Sequence, residues 1–138
     1  MQKAFINFVS ESEAEADLPN VTEKVFLGIV SKTITVVVGQ KYWNKVFFEL
    51  YGFKKYNCFD YSFDCENKFE LRLSNVLDQL KFFATLSTEE QQEIHNNNKE
   101  IINYNYEHFI SGNWKKYCQQ SLSRLDKLKP EPYNTIGE

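Results

Sequence analysis

Six consecutive residues, Thr33-Ile34-Thr35-Val36-Val37-Val38, constrain this chain more than any other stretch. All are β-branched, so a pleated strand suits them better than a helix, in which their χ1 freedom is lost against the preceding turn. The run shows no polar alternation and offers no face to water. Such a strand fits a parallel sheet covered by helices on both sides. Gly39 ends it, and a glycine at the carboxyl end of a strand lets backbone or ligand approach closely.

The segment before this strand has a matching form. Ala4 to Val9 is a short apolar run read as another strand. Asn20 and Glu23 have the spacing of a capping box, with Thr22 as a competing cap, and the helix they open runs to about Ser31. The unit is strand, loop, helix, strand, with an acid and a base, Glu23 and Lys24, side by side in the first turn. Free N–H groups and the helix dipole favour anions at such a terminus, where α/β proteins commonly hold phosphate-bearing ligands. The acidic stretch from Ser10 to Asp17 reads as a solvated loop or short turn.

Beyond Gly39 the pattern becomes mainly helical. Tyr42 to Tyr51 is amphipathic, with Trp43, Val46, Phe47 and Leu50 at helical spacing and Gly52 as its stop. Phe53 to Phe59 predicts a short strand, followed by the loop Asp60 to Asp64. Asn67 to Leu86 is a long helix with Phe69, Leu73, Val76, Leu77, Leu80 and Phe83 on one stripe. Ser87 and Glu90 form a second capping box, opening a polar surface helix from Thr88 to about Ile110. Trp114 to Leu128 is the last helix, with basic residues including Lys115, Lys116 and Arg124, and Pro130 and Pro132 mark a loose tail. The expectation is a single α/β domain over residues 1–128: a small, mainly parallel sheet with helices on both faces, a helical C-terminal extension, and a tail at 129–138.

Composition excludes several function classes. A formal net charge of -3 argues against a global attraction to nucleic acid or anionic membrane. No apolar run approaches the roughly 20 residues of a membrane helix, and the start Met1-Gln2-Lys3 lacks a signal-peptide pattern. The three cysteines, Cys58, Cys65 and Cys118, are odd in number and form no CxxC pair, which argues for a reducing cytoplasm and against a disulfide framework or zinc site. No carboxylate pair has metal-ligand spacing, so no metal or cofactor is expected. Neither His95 nor His108 has a Ser or Cys partner that suggests a triad. The 12 Phe and 8 Tyr read first as a core built from rings, with Trp43 and Trp114 among its members or at an interface.

Three stretches together resemble a known family: Phe8-Val9-Ser10-Glu11-Ser12, then Val21-Thr22-Glu23-Lys24, then Thr35-Val36-Val37-Val38-Gly39. Their order and spacing are similar to the C-terminal, donor-binding half of GT-B glycosyltransferases, of the fucosyltransferase type and related phage and bacterial sugar transferases. Leu50 to Tyr56, with its Gly-Phe turn, and the following Asp60 to Asp64 add to the likeness. The chain departs from the family pattern at Val21, where a tyrosine is usual, and at Thr35, where a proline is usual. The resemblance implies a Rossmann-like half-fold binding a nucleotide diphosphate sugar. Glu23 would accept hydrogen bonds from the ribose, Lys24 would pair with the diphosphate, Thr22 would set the helix start, and Glu11 and Gly39 would lie near the donor. It implies transfer of the sugar to a hydroxyl acceptor, with a missing N-terminal domain or partner chain completing the enzyme and no catalytic residue assigned here.

The alternative expectation is a non-catalytic interaction or nucleotide-sequestering protein that keeps the half-fold. The apolar face that an N-terminal domain would cover would then meet a partner chain or a second copy.

Overall fold

The computed structural model describes residues 6–11 and 23–128. Strand β1 (Ile6–Ser10) is followed by helix α1 (Glu23–Val30), strand β2 (Ile34–Val38) and helix α2 (Trp43–Glu49). A 3-10 turn (Tyr61–Cys65) then leads into four helices: α3 (Phe69–Ala84), α4 (Thr88–Asn97), α5 (Lys99–Ile110) and α6 (Asn113–Leu128). The expected loop helix start at Asn20 to Thr22 and the tail at 129–138 lie outside the described residues.

Among the described residues the sheet has two strands, paired in parallel with Ile6 opposite Ile34 and Ser10 opposite Val38. The protein is thus α/β and predominantly helical, with a small parallel sheet. Every residue of β2 is buried, as its unbroken β-branched run requires. Its side chains divide between two cores. Ile34, Val36 and Val38 pack with Tyr56, Phe63, Val76 and Phe83, and so join the sheet to α3. Val37 and its neighbour Val9 pack with Val25, Ile29, Trp43 and Phe47, and so join it to α1 and α2. The period-2 alternation of a strand therefore sends successive residues to helices on opposite faces.

Helix α1 lies close against the sheet because Gly28 faces it. A Cβ at Gly28 would collide with Thr35 Oγ1 and Asn7 Nδ2. The aromatic excess goes largely inward. Phe47 stacks on Phe53 with ring centroids 4.4 Å apart and planes within 1°, and Trp43 stacks on Phe47 at 4.9 Å. Phe26, Phe109 and Trp114 extend the same cluster towards α5 and α6.

Two sequence expectations need correction. Residues 53–59 form no strand: the segment ends in a turn at 57–58, and Asn98 and helix α5 supply its partners. Asn105 Oδ1 accepts from the Lys54 N–H at 2.9 Å, and Asn105 Nδ2 donates to the Lys54 carbonyl at 3.1 Å. Two turns earlier, Asn98 Oδ1 accepts from the Asn57 N–H at 2.8 Å. Side-chain amides thus take the place of a neighbouring strand. The expected helix over Thr88 to Ile110 is also two helices, broken at Asn98, whose side chain is fully buried at 0% exposure. The Ser87–Glu90 capping box at its start is present as expected, and its hydrogen bonds hold the Glu90 carboxyl below its ordinary pKa.

His108 is buried rather than part of a surface helix. Its Nε2 lies 2.7 Å from the Tyr51 carbonyl, which can only accept, so Nε2 carries the proton. The ring stacks on Tyr104 and meets Phe53 edge-on. It ties α5 to the end of α2.

Candidate functional site

A parallel pair joined by one helix puts the start of α1 at the carboxyl end of both strands, the end at which open α/β sheets hold ligands. Glu11 follows β1 there. Its N–H donates to the Val38 carbonyl at 2.9 Å, extending the ladder by one bond. Its side chain is only 2% exposed, already covered by protein. Gly39 follows β2 at the same level, and a Cβ on it would stand 3.4 Å from the Glu11 Cβ. The same Cβ would stand 2.8 Å from Trp43 Cδ1. The close approach that Gly39 permits is therefore filled by the indole of α2, and the glycine has a packing reason independent of any ligand.

Arg72 is not among the residues that the sequence motifs single out. It comes from the first turns of α3 and is 3% exposed. Its Nε donates to the Gly39 carbonyl at 2.9 Å, and its Nη1 donates to the Glu66 and Asn67 carbonyls at 2.7 and 3.2 Å. The planar fork of guanidinium donors suits this three-carbonyl cradle, which fixes α3 against the end of β2. The signal was present in the sequence: Phe69, Arg72, Val76 and Phe83 share one helical face, so the arginine sits inside an apolar stripe.

Glu23 and Lys24 are exposed in the first turn of α1. Lys24 lines a groove of about 530 Å³ that runs between α1 and the outer edge of β1, with Asn7, Ser10, Leu27 and Ser31 also on its walls. The sequence-predicted residues thus divide into two groups. Glu11 and Gly39 meet inside, at the strand ends, while Glu23 and Lys24 stand outside on the helix. Thr22 lies outside the described residues.

The start of α2 is occupied from within. Asp64, in the 3-10 turn, accepts from the Asn44 and Lys45 backbone N–H groups at 3.0 and 2.9 Å and from Asn44 Nδ2 at 3.0 Å. Tyr42 returns the contact, its N–H donating to the Asp64 carbonyl at 2.8 Å. In the sequence Asp64 only closes the loop from Asp60, whereas in the fold its carboxylate is a helix cap brought in from 20 residues away. A cleft of about 190 Å³ lies beside this cap, with Tyr42, Lys45, Lys55 and Ser62 among its lining residues.

Cys58, Cys65 and Cys118 are all free thiols. Burial pushes the Cys58 thiol up to about 11. Among the described residues no group of His, Cys, Asp or Glu is arranged to hold a metal ion, and no helix is long and apolar enough to cross a membrane. Comparison with protein families, with curated proteins and with solved structures finds no match to this chain.

Proposed function

We propose that the chain binds a nucleoside diphosphate, as the donor-holding part of a glycosyl transfer from a nucleotide diphosphate sugar to a hydroxyl acceptor. The observation that supports this reading is the parallel β1–α1–β2 unit, with Lys24 in the first turn of α1 on the wall of the groove that runs along α1 and β1. In this reading the α1 terminus and the Lys24 ammonium hold the diphosphate. Glu23, beside it and exposed, accepts from the ribose hydroxyls. The buried Glu11 and the Arg72 cradle keep the strand ends in place and do not themselves meet the ligand.

The test is a thermal-shift series with GDP, UDP, ADP and CDP and their sugars. A ligand that binds only the folded chain raises the melting temperature by mass action. The expected result is a shift with one diphosphate that disappears in Lys24→Ala while the unliganded melting temperature stays the same. An equal shift in Lys24→Ala would remove α1 as the site.

A second reading has its own observation. Among the described residues β1 is paired on one side only, and the groove beside its outer edge is lined by the exposed apolar side chains of Phe8 and Leu27. An interaction protein would use this face against another chain or a second copy. Self-association at low concentration that is abolished by Leu27→Asp supports this reading, and a monomer at all concentrations removes the homo-oligomeric form of it.

A further inference from the structure

Tyr42 has a backbone conformation that its side chain disfavours. Its φ is 66° and its ψ 18°, the left-handed region, in which glycine and asparagine are at ease and a bulky residue is an outlier. The surroundings hold it there: its N–H donates to the Asp64 carbonyl at 2.8 Å, and its own carbonyl accepts from Val46 at 3.0 Å. Either bond could be made by a glycine. Core packing does not explain the tyrosine, because the residue is 42% exposed. A bulky side chain kept in a strained conformation outside the core points to a use beyond packing.

The ring has cationic neighbours. Lys41 Nζ lies 5.0 Å and Lys45 Nζ 5.6 Å from its centroid. Lys41 is also tied to Asn67 Oδ1 at 2.6 Å. The adjoining cleft of about 190 Å³ carries Lys45, Lys55 and the Ser62 residue on its walls, with Phe48 and Tyr61 among its apolar lining. Two carboxylates also line it. Asp64 is already engaged by three N–H groups, and Glu49 stands one turn beyond Lys45. A half-exposed ring with ammonium groups over it and a serine nearby matches an aromatic anion, whose planar base would take the place of the ammonium groups on the ring while its phosphate pairs with the lysines.

We propose that Tyr42, Lys45, Lys55 and Ser62 form a binding site for a nucleoside phosphate, with the base stacked on Tyr42 and the phosphate held between Lys45 and Lys55. The ligand is a free nucleotide or the end of a single strand, which share this chemistry. The site is built from α2 and the 3-10 turn and does not depend on the α1 reading.

The test is calorimetric titration of the full chain with AMP, UMP, inorganic phosphate and a short oligothymidylate, repeated on Tyr42→Gly, Lys55→Ala and Lys24→Ala. Tyr42→Gly is expected to weaken nucleotide binding roughly tenfold, the scale of one base–aromatic stack. It is also expected to raise the melting temperature, because glycine relieves the backbone strain. A residue with a purely structural role would not give these opposite signs. Lys55→Ala weakens binding and Lys24→Ala leaves it intact. Tighter binding of the oligonucleotide than of UMP identifies a strand end as the ligand, and the reverse identifies a free nucleotide. The proposal is overturned if the wild-type chain binds none of these probes, if binding survives Tyr42→Gly, or if Tyr42→Gly lowers the melting temperature. Binding lost only in Lys24→Ala overturns it in favour of the α1 site.

Discussion

The side-chain amide of Asn105 makes both hydrogen bonds of a strand bridge with the backbone of Lys54, 51 residues away. Asn105 is 1% exposed, so little water is at hand to replace what it supplies. Asn105→Leu leaves a backbone N–H and a carbonyl to be rehydrated and is expected to cost about 1–3 kcal/mol. Asn105→Asp keeps the acceptor for the Lys54 N–H but sets a carboxylate against its carbonyl, and should cost at least as much. Urea unfolding with an unchanged m-value checks both.

Asp64 joins the 3-10 turn to α2 through three N–H groups. Asp64→Ala removes the cap and leaves the Asn44 side chain short of a partner, for an expected loss of about 2 kcal/mol. Asp64→Asn retains an acceptor but adds donors facing donors, so it should recover only part of the loss. Unfolding curves for the three proteins give the order wild type, Asn, Ala.

Gly28→Ala opposes propensity to packing. In an exposed helix interior the change would stabilise by about 1 kcal/mol. Here the new methyl meets Thr35 and Asn7 across the sheet, and overpacking of this kind costs about 1–3 kcal/mol. The net expectation is destabilisation. Thr35→Ala in the Gly28→Ala background should return part of the loss, a non-additivity measurable in a double-mutant cycle.

Alkaline pH should find Cys58. Burial holds its folded pKa near 11, above the ordinary thiol value of 9.0. Below pH 9 the folded and unfolded chains both keep the proton and the thiol has no effect on stability. Between about pH 9 and 11 the unfolded chain releases its proton while the folded chain retains it, so stability falls as pH rises. Tyr56 and Tyr61, whose hydroxyls burial also pushes up, add to the same decline at higher pH. The Cys58 share is the part absent from Cys58→Ala, read by urea unfolding at pH 8 and pH 10. At pH 8 the exposed Cys65 should react with a thiol reagent well before Cys58 does.

Legibility in the sequence followed the range of the interactions. The double-sided burial of Ile34–Val38, the stripe on α3 and the Ser87–Glu90 box are local patterns, and each stands in the structure where the residues placed it, except that Leu77 of the stripe is exposed. Glu23 and Lys24 lie in the first turn of α1, as expected, while the capping residues Asn20 to Thr22 lie outside the described residues. The residues missed or misread act on partners far along the chain. Arg72 bonds Gly39 over 33 residues, Asp64 caps a helix 20 residues back, and Asn98 and Asn105 replace a strand for the segment near Lys54 and Asn57.

By itself, then, the sequence determined which stretches present apolar faces and how many faces each has, because side-chain period depends on neighbours three or four residues apart. Only the tertiary structure decided which groups complete one another. Residues 53–59 carry strand propensity, yet their outcome was set by amides on a helix that comes forty and more residues later. A buried backbone group takes whatever hydrogen-bond partner the packing brings to it, and composition around that group does not encode the partner's identity. The same holds for Tyr42, an ordinary helix-start residue in the sequence, whose left-handed backbone is set by its hydrogen bond to the Asp64 carbonyl in the later 3-10 turn.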